Sequence, residues 1–340
     1  MAAVLITGGA GYIGSHVAVA LYRSERQVVI LDNFSNASPS AVDAIRSITT
    51  PELPVVEGDA ADSALLEKVV SQYHISSIVH LAAFKDVSES SVRPHRYYRN
   101  NLNCTINVAE VSVEHGLKRM VFSSSAAVYG TPQTVPVCEE TSLQPISPYG
   151  RSKLMCEQIL IDSTSAATRL EVVLLRYFNP VGAHPSGVIG EDPTHSTTSL
   201  VSQIMQTASG KAGPVPIFGN DYDTPDGTAI RDFVHVMDLA AGHVAALEND
   251  QIFGAGSRSA AFNLGTGVGS SVLDMLNAAG AALGCGIPYR ISKRRPGDIA
   301  SIWADCEKAR KQLGWTAQHN PVSMIRDHWN WQQRNSDGYR

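Results

Sequence analysis

Short apolar runs recur through the first half of the chain, at residues 3–7, 27–31, 53–57, 77–81 and 119–123. Each has the length of a strand, and each is nearly continuous in its hydrophobicity, as expected of strands covered on both faces. The stretches between them are long enough for crossover helices, Tyr12–Arg23 among them. This pattern predicts an α/β fold with a doubly wound, mostly parallel Rossmann sheet. A sixth strand is expected at Glu171–Tyr177. From 178 to 230 the chain turns rich in Gly, Pro, Asp and Thr, with one helical stretch around 198–208. Strand and helix character returns between Asp232 and Asn249. The remainder, through 262–265, 270–283, 287–291 and the terminal helices, reads as mixed. Two lobes that are not contiguous in sequence are therefore expected. A sheet lobe would comprise 1–177 with 232–252, and a smaller mixed α/β lobe would comprise 178–231 with 253–340.

The first strand runs into a glycine-rich turn, Thr7-Gly8-Gly9-Ala10-Gly11-Tyr12-Ile13-Gly14, which opens the first helix. Gly9 and Gly11 are expected to let the backbone approach a pyrophosphate, and Gly14 to let helix and strand pack closely. The free N–H groups of the helix start would face the phosphates. Asp32 ends the second strand, where its carboxylate can accept both hydroxyls of an adenosine ribose and would repel a 2′-phosphate. The combination predicts NAD rather than NADP as cofactor.

Composition narrows the class. With 340 residues, 44% hydrophobic and 17% charged, the chain can bury a large core and fold as a globular enzyme. Its net charge of −5 argues against general nucleic-acid binding. No apolar run reaches membrane-spanning length, and the glycine turn at residue 8 leaves no room for a secretory signal ahead of it. Five scattered cysteines without a CxxC pair suggest free thiols in a cytoplasmic compartment. The eleven histidines show no close ligand spacing, so no metal is expected.

The candidate chemistry lies in two motifs. In Ser147-Pro148-Tyr149-Gly150-Arg151-Ser152-Lys153, Pro148 suits a first helical turn, which puts Tyr149 and Lys153 on one face. A phenol of pKa about 10 is a weak base at neutral pH, and a nearby ammonium is expected to lower that pKa. In Val121-Phe122-Ser123-Ser124-Ser125, three serines stand at the carboxyl end of a predicted strand, where open α/β sheets bind ligands. Ser125 is the candidate for a hydroxyl bridging a substrate oxygen and Tyr149.

On these residues the chain resembles the extended short-chain dehydrogenase/reductases, and among them the UDP-galactose (UDP-glucose) 4-epimerases. The likeness spans essentially the whole length. It is most specific at Thr7–His16, Ser123–Gly130, Ser147–Lys153, Leu174–Gly187, Ile217–Tyr222 and Arg231–Leu239. The resemblance implies a tightly held NAD and reversible inversion at C4 of a UDP-sugar through transient oxidation. In that scheme Tyr149 as phenolate takes the proton of the 4-hydroxyl, Lys153 holds the cofactor ribose, and Ser125 orients the hydroxyl.

Carried over by position, the resemblance sets Gly8, Gly11, Tyr12, Ile13 and Gly14 near the pyrophosphate. Asp32, Asn33 and Asn36 fall around the adenosine ribose, and Asp59 with Ala60 near the adenine. Leu81, Ala82, Ala83 and Lys85 run beside the cofactor with Asn100, Lys153 and Phe178. Lys85, Ser125 and Tyr149 also border the sugar. Asn179, Ser199, Leu200 and Phe218 line sugar and uracil. Arg231 and Arg295 suit the diphosphate, since a guanidinium fork fits phosphate oxygens. Asp298 would receive ribose hydroxyls or orient Arg295. A homodimer through the helices before the fifth strand and after Tyr149 is also implied, in keeping with the apolar Ile106, Val108, Val111 and Val113.

Two positions depart from the family pattern. Ser199 replaces an Asn common in bacterial relatives, which shortens a hydrogen-bonding arm to the sugar. Ile302 replaces a common tyrosine beside the sugar 2-substituent, which either leaves room for N-acetylated UDP-sugars or simply fills the gap. A 4,6-dehydratase would need an acid and a base just after the serine strand, where this chain has Ala126 and Ala127. A decarboxylase would need a uronate pocket with no clear signature here. A catalytically silent NAD-binding protein would not need Ser125, Tyr149 and Lys153 intact.

Overall fold

The structure, a computed structural model, describes residues 3–164, 168–192, 199–254, 256–295 and 297–339. Its centre is a parallel sheet of β1 (Ala3–Thr7), β2 (Val28–Asp32), β3 (Val55–Glu57), β4 (Ile75–His80), β5 (Arg119–Ser125), β6 (Glu171–Tyr177) and β11 (Ser259–Leu264). The strand order is β11-β6-β5-β4-β1-β2-β3. The order reverses between β1 and β4, and at such a switch point a crevice opens at the carboxyl ends of the strands. Six of these strands fall at or within about two residues of the apolar runs, close to the usual uncertainty of element ends.

Crossovers are made by α1 (Tyr12–Arg23), α2 (Ser40–Ile48), α3 (Ser63–Gln72), α4 (Val87–Val92), α5 (Pro94–Glu114) and α6 (Pro148–Asp162). Successive strand side chains point to opposite faces. Thus Ile6 and Ile30 pack with Val17 of α1 and Ile45 of α2. Leu5 and Leu31 pack on the other side with Leu66 of α3, Val108 of α5 and Leu160 of α6. Both faces are therefore dry, and the runs have no need to alternate.

The smaller lobe is assembled from short pieces. It contains β7 (Asn179–Val181), α7 (Leu200–Ala208), β8 (Val215–Phe218), β9 (Ile230–Arg231) and β10 (Phe233–His235). After α8 (Val236–Glu248) and β11 come β12 (Ser270–Ser271), α9 (Val272–Leu283), β13 (Tyr289–Ser292), β14 (Ser301–Ile302) and α10 (Pro321–Arg334). Strand β7 pairs with β10, β8 with β13, and β9 lies between β12 and β14. Ile204, Met205, Ile217, Met275, Met324 and Ile325 form this lobe's core.

One lobe boundary differs from the expectation. Residues 253–340 were assigned to the smaller lobe, yet β11 extends the large sheet beside β6, in register from Ser259–Val172 to Leu264–Tyr177. The cause is α8, a crossover helix that packs on α1 and returns the chain parallel to the sheet edge. Leu313 and Trp315 follow it into the core on that face.

Candidate active site

The carboxyl ends of β1, β2, β4, β5 and β6 form one wall of a cleft of about 920 Å³, and the smaller lobe forms the other. The cleft is lined along the sheet by Gly8, Gly11, Tyr12, Ile13, Gly14, Asp32, Asn33, Asn36, Asp59, Ala60, Leu81, Ala82, Ala83, Lys85, Asn100, Ser125, Tyr149, Lys153 and Phe178. Asn179, Ser199, Leu200, Phe218, Arg231, Arg295, Asp298 and Ile302 line it from the other side. Every residue that the family resemblance set at the site thus borders the same continuous space. Pro296, within the Arg295–Asp298 turn, lies outside the described residues.

The glycine turn fits a dinucleotide phosphate. Gly8 has φ +73°, and a side chain there would press on the Ala82 backbone at 2.8 Å. A side chain at Gly14 would meet the Gly8 carbonyl oxygen at 2.2 Å, so glycine is needed for α1 to approach β1. Helix α1 begins at Gly11 with no side chain capping its N–H groups and no acidic residue in its first turn. By contrast, side chains of Asp62, Asp86, Ser147 and Ser199 cap α3, α4, α6 and α7. Uncapped N–H groups at a cleft are what an anionic ligand satisfies. Gly9 corrects the sequence reading: its missing side chain makes room for Ile30 of β2, at 2.8 Å, and does not face the cleft.

Asp32 is buried and accepts hydrogen bonds from the N–H groups of Ala10 and Phe34, both at 2.9 Å. Burial pushes its pKa up, against those backbone bonds. It therefore anchors the turn while its remaining lone pairs stay available to a ribose. Asn33 donates to Asp59 Oδ2 at 2.9 Å, and Asp59 Oδ1 accepts from the Ala61 N–H. The cap of α3 is Asp62, so Asp59 is left to the cleft.

At the centre, Ser147 caps α6 through the Gly150 N–H at 3.0 Å, Pro148 occupies the first turn, and Tyr149 and Lys153 follow on one face. The Lys153 ammonium donates to the Ser123 carbonyl at 2.7 Å and lies 4.8 Å from the centre of the Phe122 ring. Burial lowers its pKa to about 8, opposed by Cys156, Glu157 and Cys104. The Tyr149 phenol does not show the expected depression. Burial pushes its pKa up, Cys156 adds to the rise, and only the Ser125 hydroxyl pulls it down. The largest cause is desolvation of the phenol by burial.

Across the cleft, Arg231 is largely enclosed. It donates to the Ile230 carbonyl at 2.8 Å and lies 3.7 Å from Asp298. Burial lowers its pKa, and Asp298 opposes that. Asp298 therefore orients Arg231, not Arg295. Arg295 instead lies over the Phe218 ring, 3.8 Å from its centre. Ser199 lines the cleft and caps α7, its hydroxyl oxygen accepting the Ser202 N–H at 3.1 Å while its own O–H remains able to donate. Ile302 pairs with Arg231 across β14 and β9 and packs with Tyr129, Phe178 and Ala304.

Sequence reasoning passed over Lys85's partner, the buried Glu191, whose carboxylate lies 3.5 Å away across the cleft. It also missed a buried ion pair between Glu157 and Arg176 behind the serine strand, although Glu157 continues the four-residue row of Tyr149 and Lys153. Among the described residues, His235, His319 and Asp327 come close enough to suggest a metal. However, His235 Nδ1 accepts the Met237 N–H, which leaves the proton of a neutral ring on Nε2, 3.3 Å from Asp327. That ring offers no lone pair.

Residues 4–265 match the family model described as the NAD dependent epimerase/dehydratase family. The chain belongs to the NAD dependent epimerase/dehydratase family. It is 47% identical over 338 residues to the UDP-glucose 4-epimerase of Bacillus subtilis (strain 168), covering 99% of both chains. Among solved structures, the Bifidobacterium longum UDP-glucose 4-epimerase in complex with NAD+ and UDP shares 45% identity at TM-score 0.93, over 99% of this chain and 100% of that one. The Stenotrophomonas maltophila UDP-glucose-4-epimerase, with bound NAD and formylated UDP-arabinopyranose, shares 42% identity at TM-score 0.93, over 98% of each chain.

Proposed function

We propose that the chain interconverts UDP-galactose and UDP-glucose by reversible inversion at C4, using a retained NAD. The observation that carries this reading is the convergence of Ser125, Tyr149 and Lys153 with the uncapped helix start and two arginines on one cleft. The uncapped α1 start, Asp32, Asn33, Asp59 and Lys153 would hold the cofactor. When bound, NAD would supply reversible oxidation at C4, and its oxidised ring would bring positive charge to the site.

The protein's own groups do the rest. Tyr149, in its deprotonated form, takes the 4-hydroxyl proton at its phenolate oxygen and later returns it, so no net acid or base is consumed. Ser125 holds that hydroxyl against the phenol. Arg231, oriented by Asp298, and Arg295, flat on Phe218, bind the diphosphate by charge-assisted hydrogen bonds. Anchoring at the nucleotide leaves the sugar free to present either face of C4. Ala126 and Ala127, directly after Ser125, carry no proton to give, which disfavours dehydration at this site.

The sheet lobe, 1–177 with 232–252 and the added β11, is assigned to the cofactor, and the remainder to the UDP-sugar. A homodimer is proposed on the faces of α5 and α6: Val108 and Val111, offered for it from the sequence, are buried in the core instead, while Met155 and Ile161 of α6 stand exposed; a monomeric mass at micromolar concentration would refute it. A cytoplasmic setting suits five free thiols. Among the described residues no helix is long and apolar enough to cross a membrane. The functional test is turnover of UDP-galactose by purified chain, with UDP-glucose as the expected product; no turnover with NAD added would reject the reading.

A further inference from the structure

An arginine–glutamate pair stands at either end of strands β5 and β6, and only the one at the carboxyl end is buried on both sides. At the carboxyl end, Glu157 of α6 accepts Arg176 Nε at 3.0 Å on one oxygen and Nη2 at 2.8 Å on the other. The Ser124 hydroxyl donates to the same carboxylate. Both charged side chains are almost fully buried. Arg176 continues to the Tyr129 hydroxyl at 3.1 Å and the Glu139 carbonyl at 3.0 Å. Ser124 and Arg176 are register partners, as are Ser125 and Tyr177.

Such a pair is a poor device for stability, because desolvation offsets most of the attraction, and apolar replacement of both partners is often neutral. Its location gives it another use. Ser124 adjoins Ser125, and Glu157 lies one helical turn beyond Lys153 and two beyond Tyr149. One carboxylate thus ties the helix carrying Tyr149 and Lys153 to the strand end carrying Ser125. We propose that Glu157, Arg176 and Ser124 are positioning residues for the epimerisation, holding α6 against the ends of β5 and β6 so that Tyr149 meets Ser125. This rests on the functional reading above. Glu157 also opposes the effect of burial on Lys153.

The test compares Ser124→Ala and the double variant Glu157→Met/Arg176→Met with Arg119→Met. Arg119 belongs to the pair at the opposite end, bound to Glu171 and to carbonyls of Ala246, Leu247 and Asn249. Retained NAD, thermal midpoint, kcat and KM for UDP-galactose are measured on each. The double variant is expected to fold, keep NAD and lose kcat by about 10²-fold with KM nearly unchanged, since small misplacement of reacting groups carries that cost. Ser124→Ala should lose about tenfold in the same way, and it decides the matter if the double variant does not fold. Arg119→Met should lower the thermal midpoint and leave kcat alone. Folded variants near Ser124 that keep NAD and the parent kcat, or that change only KM, would overturn the proposal. An inactive parent would overturn the functional reading, and this inference with it.

Discussion

The two walls of the cleft are built differently. On the sheet side, the groups proposed for chemistry stand on long regular elements: Ser125 ends a seven-residue strand, and Tyr149 and Lys153 sit on a fifteen-residue helix. Their spacing is set by strand and helix periods, and core packing holds those periods rigid. On the other side, Arg231 lies in a two-residue strand, Arg295 in a turn, and Ile302 in another two-residue strand. These are oriented by side-chain partners: Asp298 for Arg231, and the Phe218 ring for Arg295. The first wall is suited to placing a proton acceptor accurately, the second to gripping a flexible nucleotide. The account therefore expects kcat to be decided on the sheet side and KM on the other.

Tyr149→Phe should break the first wall most severely. Loss of a positioned acid–base group predicts kcat lower by about 10²–10⁴-fold, with KM near the parent value in steady-state kinetics. Arg231→Met attacks the second wall. Hydrogen bonds to charged groups are worth about 1.5–3 kcal/mol, so KM for UDP-galactose should rise by roughly ten- to a hundredfold. If kcat fell instead, the division of labour would be wrong.

Acid should part the walls. His16 of α1, His184, His235 and His328 of α10 gather in the seam between the lobes, and burial pushes the pKa of His16 to about 3 and of His184 to about 4. Buried His80 and His243 are likewise lowered, to about 3 and about 4. The unfolded rings protonate near pH 6.5, so the unfolded state binds more protons below that value and stability falls with pH. The loss begins near pH 6.5 and grows until the native rings titrate at about 3–4. For His16 and His80, whose pKa values fall to about 3, the loss reaches about 2 kcal/mol each by pH 5. Denaturant titrations at pH 7.5 and 5 should show a clearly lower midpoint in acid. A flat profile would mean that these rings are not buried as neutral groups.

The last effect concerns substrate choice at Ile302, where the proposal is that isoleucine leaves room for an N-acetyl group. Ile302→Tyr should then lower turnover of UDP-N-acetylgalactosamine relative to UDP-galactose, by about the ten- to two-hundredfold that shape discrimination in an apolar pocket supplies. Its packing with Phe178 and Ala304 favours the gap-filling alternative, under which both sugars would respond alike.

How well each wall could be read from the sequence follows from the same difference. Strands with two buried faces announce themselves as apolar runs, so β1 to β6 lay close to where the pattern put them. Helix spacing likewise brought Tyr149 and Lys153 together. Strand β11 was misassigned because Ser259–Leu264 carries only two large apolar residues among Ser, Ala and Asn, and only its packing beside β6 makes it part of the large sheet. The tyrosine pKa went astray because residue spacing gives proximity, whereas the burial of the phenol is a tertiary fact. On the second wall, the residues came from family resemblance, and the partner of Asp298 could not be read from local pattern. Gly9 shows the limit of motif logic: the same residue type serves strand packing one place and the cleft two places on.

The central claim is best tested by proton NMR of the purified chain with UDP-galactose and no added NAD. The account predicts steady conversion to UDP-glucose, which requires both C4 inversion and a cofactor retained through purification. Absence of conversion, repeated after NAD is added, would contradict it.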